Sequence, residues 1–188
     1  MSDPTQETNM PEAELANSDA ALDAEFAAQI HDQVRSFLVA VREIAREGEL
    51  STAVPLLLLE VSQLMLAGGR LGAVDDILPK ERFETDTGAD QDLDELRERL
   101  ASVLEGLDEY AEVFDPYAAA PEMVRMRLSD DITDIAAALQ HGDAHYVAGR
   151  VDEALWWWQF SYLSSWGAEA GAALRALQSI AAHSRVDR

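Results

Sequence analysis

His141 and His145 lie four residues apart in a segment with helical periodicity. That spacing stacks both imidazoles on one helix face. Two imidazoles so placed can share a metal ion if a third protein ligand arrives from elsewhere in the chain. The H-E-x-x-H arrangement is absent, because Gly142 stands where its Glu would be. Two histidines hydrogen-bonding locally at a core edge account for the pair, so neither a metal nor a cofactor is expected. A second set is carboxylic: Glu95, Glu98, Glu105, Asp108 and Glu109, then Asp130, Asp131 and Asp134. Helical pyrophosphohydrolases hold magnesium between ExxE and ExxD pairs on facing helices. The spacing here departs from that pattern, and Arg97 and Arg99 interleave as on a solvated charged face. No residue is assigned as catalytic. No Walker loop, dinucleotide fingerprint or nucleophile elbow occurs. Gly68-Gly69-Arg70-Leu71-Gly72 is glycine-rich but follows a helix, which suits a helix stop rather than a phosphate cradle. Cysteine is absent, which excludes disulfides, zinc–thiolate sites, iron–sulfur clusters and a thiol nucleophile.

The strongest candidate surface is aromatic. Trp156, Trp157 and Trp158 are consecutive, and three successive helical positions sweep roughly 200° of the helix surface. A core-facing stripe is often little wider than about 100°. Trp158 shares a stripe with Tyr162 and Trp166 and is expected to be the most buried. Trp157 falls with Ala154, Ser161 and Ser164 on a small-residue face suited to close helix contact. Trp156 and Phe160 form the pair left to line a groove. Trp156, Phe160 and Trp157 are therefore the partner-binding candidates, and the partner expected is another protein. All three faces packing inside the domain is the plain structural alternative.

The elements that must position these residues are helical. Residues 1–18 are acidic, hold Pro4 and Pro11, and read as a disordered arm. Residues 19–188 read as a single all-helical domain. Asp19 is placed to cap a helix along which Phe26, Ile30, Val34, Phe37, Leu38, Val41 and Ile44 recur at three- and four-residue steps. A second helix starts at Ser51, with Pro55 near its first turn, and is expected to stop at Gly68 and Gly69. An irregular connector follows from Arg70 to Gln91. Leu93, Leu96, Leu100, Val103, Leu104 and Leu107 mark a third helix, extended with a break past Tyr110 to Asp115-Pro116. Ser129 is placed as the N-cap of the next helix, which ends at Gly149. The aromatic helix spans about 151–166, Gly167 breaks it, and an Ala-rich helix closes the chain. No segment shows the alternation of a β-strand. The fold expected is all-α, a compact bundle of six or seven helices.

Composition narrows the function classes. The chain has 188 residues, enough for one domain with a real core. It carries 36 acidic and 14 basic residues, a formal charge of -22. Such a chain repels nucleic-acid phosphates and anionic lipid headgroups, so direct binding to either is disfavoured. Residues 1–25 contain seven acidic residues and no Lys or Arg, unlike a signal peptide. The longest apolar run, Val54 to Leu59, is too short to span a bilayer. A cytoplasmic location is expected; oligomeric state is not legible.

Two resemblances add to this reading. Residues 142–161 resemble one tetratricopeptide repeat. Gly142 stands at the small close-approach position, Gly149 in the turn, Ala154 at the small contact position, and Trp158 and Ser161 on pattern positions. No convincing second copy occurs, and solenoids need about three or more repeats. At whole-chain scale, several strings are shared in order with a bacterial family. These are Ala53–Leu64, Leu66–Gly72, Asp92–Leu100, Val113–Tyr117 and Ala154–Tyr162. Over roughly residues 26–183 the chain resembles the domain of unknown function 5063, common in actinobacteria. That resemblance implies a cytoplasmic bacterial helical protein and transfers no site. The expected function is a non-enzymatic protein-interaction or adaptor module working through the aromatic helix. The alternative is a metal-dependent hydrolase of a phosphorylated small molecule, using the helical carboxylates.

Overall fold

The computed structural model describes residues 12–79, 83–89, 91–113 and 115–186. In order these form α1 (Glu12–Glu47), α2 (Leu50–Ala73), α3 (Asp94–Val103), β1 (Glu109–Val113), β2 (Met123–Arg127), α4 (Leu128–Val147), α5 (Val151–Ser161), a π-helical turn (Tyr162–Trp166) and α6 (Gly167–Val186). Residues 1–11 lie outside the described residues, and with them most of the expected arm. α1 is already helical ahead of Asp19, its expected start.

The core forms where apolar stripes meet. Ile30, Val34, Phe37, Leu38, Val41 and Ile44 of α1 are buried, as their spacing predicts. They pack with Leu57, Val61, Leu64 and Leu71 of α2, Leu128, Ile132, Ile135 and Leu139 of α4, and Trp158 of α5. α6 lies along α2 through Ala170, Ala173 and Leu177. By length and composition α2 is apolar enough to cross a membrane. Its inner face is part of this core, while Leu56, Leu59 and Leu66 face outward.

The fold is mostly helical, but four local expectations are corrected. First, Gly68 and Gly69 do not stop α2, which continues to Ala73. A Cβ at Gly68 would overlap the rings of Tyr162 and Trp166, so the glycine makes room for aromatics inside an unbroken helix. Second, Gly167 does not break the chain. It is right-handed helical, with φ -65 and ψ -37, so α5, the π turn and α6 form one continuous rod. The described residues therefore hold five separate helical rods instead of six or seven.

Third, the helix through Leu100 ends near Leu104, and Gly106 turns the chain with φ 84. The segment beyond it is an antiparallel hairpin with Tyr110 opposite Met126 and Glu109 opposite Arg127. Burial alternates along both strands. The residues do not reveal this: Glu and Arg interrupt the apolar positions, and two short strands need the helices beneath them to be stable. Fourth, Ser129 is not the N-cap of α4. Asp108 does that work across the hairpin. Its backbone oxygen accepts from Leu128 N at 2.9 Å, and its carboxylate accepts from Ser129 N at 2.8 Å and Ser129 Oγ at 2.8 Å. Arg127 pairs with the same carboxylate at 2.8 Å.

Candidate functional site

α4 and α5 form an antiparallel pair joined at Gly149, whose φ of 78 closes the turn. The pair approaches closely because Gly142 has no side chain: a Cβ there would overlap the Trp158 indole. Trp158 is fully buried and donates from Nε1 to Leu139 O at 3.1 Å. Beside it Tyr146 stacks on His31 of α1 with ring centroids 3.8 Å apart. Asp143 points the same way, pairing with His31 at 3.0 Å and Arg35 at 3.2 Å. One face of α4 thus holds α1 and Trp158.

An adjoining face carries the chemistry. Trp157 leans on α4, its ring edge-on to His141 at 4.4 Å. Trp156 meets Trp157 at 4.9 Å and stacks nearly flat on Phe160, at 5.3 Å and 12°. Trp156 and Trp157 are half-buried. Phe160 is 50% exposed and Leu163, three residues on, is 64% exposed. A cavity of ≈ 840 Å³ opens beside this patch. Val147, Trp157 and Phe160 line it with His141, and alanines of α4 and the serines after Phe160 complete that side.

The π turn aims these side chains. Within it the backbone bonding shifts to five-residue spacing, as in Gly167 N to Tyr162 O. Serine hydroxyls bond to carbonyls one turn back around it: Ser161 Oγ donates to Trp157 O, Ser164 Oγ to Phe160 O at 2.7 Å, and Ser165 Oγ to Ser161 O at 3.1 Å. The extra residue turns Tyr162 and Trp166 inward onto α2 and leaves Phe160 and Leu163 facing out.

The connector after α2 crosses the same region. Gln159, buried in α5, accepts from Ile77 N at 2.8 Å and donates to Leu71 O at 2.9 Å. Farther along, Glu84 reaches α4. Its Oε1 lies 2.6 Å from His141 Nε2 and 3.1 Å from His145 Nε2. Partial desolvation raises the Glu84 pKa, but the hydrogen bonds from His145 and His141 outweigh it and hold the carboxyl below its usual range. His145 is fully buried. The expectation of no metal site rests on the absent H-E-x-x-H pattern and on local hydrogen bonding of the pair; the third ligand that a site would need from elsewhere in the chain has a candidate in Glu84. Residue spacing could not have shown it, since the chain between residues 84 and 141 says nothing of their contact.

Among the described residues the carboxylates of the hydrolase reading form no group placed to hold an ion. Among the described residues, Glu84, His141 and His145 form the one group of three with donor atoms close enough for an ion. Asp130 and Asp134 pair with Arg97, and Glu95 pairs with Arg99. Asp131 is different: burial pushes its pKa up to about 6 despite a 2.5 Å hydrogen bond from Tyr110. Glu169, at the start of α6, is pushed up to about 7 by burial and the nearby Asp134 and Asp131.

A family described as a domain of unknown function, DUF5063, matches residues 22–183, a span reaching from α1 into α6. The chain belongs to the DUF5063 family. The crystal structure of protein BF1032 from Bacteroides fragilis has a similar fold, with a TM-score of 0.66 and 19% identity. That likeness covers 81% of this DUF5063 chain and 90% of BF1032. No curated protein matches the chain.

Proposed function

We propose that this DUF5063 chain is a protein-interaction module. It seats an apolar side chain of a partner segment with basic flanks against Trp156, Trp157 and Phe160. The observation behind this reading is Phe160, half exposed and stacked on Trp156 at the lip of the ≈ 840 Å³ cavity. Aromatic anchors beside a concave surface are the usual energetic centre of an interface. The -22 charge favours a basic partner through complementary long-range fields. The helical carboxylates of the hydrolase reading form no ion-holding group among the described residues, and no catalytic residue is proposed.

The test places a benzophenone amino acid at position 160 in the native host. The crosslinked protein is then purified and its binding to the wild-type chain measured. Trp156→Ala and Phe160→Ala are expected to weaken binding by about 2 kcal/mol or more, as interface anchors do. Affinity is also expected to fall as salt rises. Binding unaffected by either substitution overturns the reading, as does crosslinking only to a second copy of the chain or to no protein.

A further inference from the structure

We infer that Glu84, His141 and His145 bind one zinc-class divalent transition-metal ion, which pins the connector after α2 to α4. The donor atoms of the three residues all lie within 4.8 Å of one another. Both imidazoles present Nε2 to the same carboxylate oxygen. They come from consecutive turns of one helix, so their relative placement is fixed by α4 and not by loop conformation. Two nitrogens and one carboxylate oxygen are the donor set of zinc and its first-row neighbours. Magnesium and calcium prefer oxygen alone.

The space needed falls on the adaptable member. Tetrahedral ligands about 2.0–2.2 Å from zinc stand roughly 3.3–3.6 Å apart, wider than the present Glu84–His141 contact. Glu84 has a 42% exposed side chain, whereas the His145 side chain is fully buried and stays in place. The connector is also held, independently of these contacts, by α5, the α4–α5 turn and α1. Gln159 accepts from Ile77 before Glu84, Arg150 donates to Thr85 O at 3.4 Å beside it, and Arg42 donates to Gln91 at 3.4 Å beyond it. His141 also lines the cavity, which leaves the ion a route to solvent. The field of a chain with charge -22 draws divalent cations toward it. Because His141 also packs on Trp157, an ion here braces one wall of the aromatic cavity.

The experiment is calorimetric titration of the tag-free full-length chain, stripped with chelator, using zinc, cobalt(II) and magnesium salts. Zinc is expected to bind one-to-one in the micromolar range or tighter. Cobalt(II) should give the visible absorption of a four- or five-coordinate nitrogen–oxygen site, and magnesium should give no saturable heat. Glu84→Gln and His141→Ala, with folding checked by thermal melting, should each weaken zinc at least by the roughly 10–100-fold that lost supporting contacts cost metal sites. His183→Ala, on a distant part of α6, should change nothing. No saturable zinc binding by the wild-type chain overturns the assignment. Binding that survives both ligand substitutions, or that His183→Ala abolishes, overturns it equally.

Discussion

At Gly68 and Gly69 two identical neighbours answer to opposite forces. A Cβ at Gly68 would run into Tyr162 and Trp166, while nothing lies within 4 Å of one at Gly69. Gly68→Ala is therefore expected to destabilise the chain by about 1–3 kcal/mol, the cost of overpacking. Gly69→Ala should stabilise it by about 0.5–1 kcal/mol, because alanine loses less chain entropy in a helix. Urea unfolding of the two variants checks both signs; stabilisation by both would contradict the packing of the π turn on α2. The sequence shows only a glycine pair, which reads as a helix stop. Its true role depends on Tyr162, almost a hundred residues away. Trp158 was legible for the converse reason: Tyr162 and Trp166 extend its stripe on the same helix. Glu84 was not, because a loop carboxylate becomes a candidate ligand only when the fold lays it over His141 and His145.

At the scale of elements, the hairpin, α4 and α6 meet at a carboxylate junction with a pH signature. Burial raises Asp131 from 3.8 to about 6 and Glu169 from 4.5 to about 7. A carboxyl with a raised folded pKa binds its proton more tightly in the native state than in the unfolded one. Its contribution is thus fully present below the unfolded pKa and is lost as pH rises through the folded value. The melting temperature is expected to rise as pH falls from 7.5 to 5. Neutralising the overall negative charge acts in the same direction, so Glu169→Gln isolates the junction: it should flatten the profile between pH 5 and about 7. An unchanged slope in that variant would show that Glu169 is not desolvated. The hairpin itself was hidden in the sequence. Its two strands are only five residues each, and the helical period of the leucines before it invited continuation. The long helices are legible because their apolar stripes repeat over many turns, although Gly167 reads as a break between α5 and α6 and stays helical.

At the scale of the molecule, the aromatic rod has two duties. Trp158 and Trp166 turn inward and are fully buried, while Phe160 and Leu163 turn out. Trp156 and Trp157 stand between, half covered: Trp157 lines the open cavity, and Trp156 packs on Trp157 and Phe160. The sequence could show that three consecutive indoles cannot share one face. It could not show that the fold leaves a cavity lined by Trp157 and Phe160. The rod is thus divided into a core face and an open face, and the isolated chain reports that division without a partner. The chain is grown with 5-fluorotryptophan, its four ¹⁹F resonances are assigned by single Trp→Phe replacements, and the shift of each between H₂O and D₂O is recorded. Trp156 and Trp157 are expected to show a clear solvent isotope shift, with Trp158 and Trp166 showing almost none. A Trp156 resonance as unresponsive as that of Trp158 would contradict an open face and make the aromatic helix core throughout.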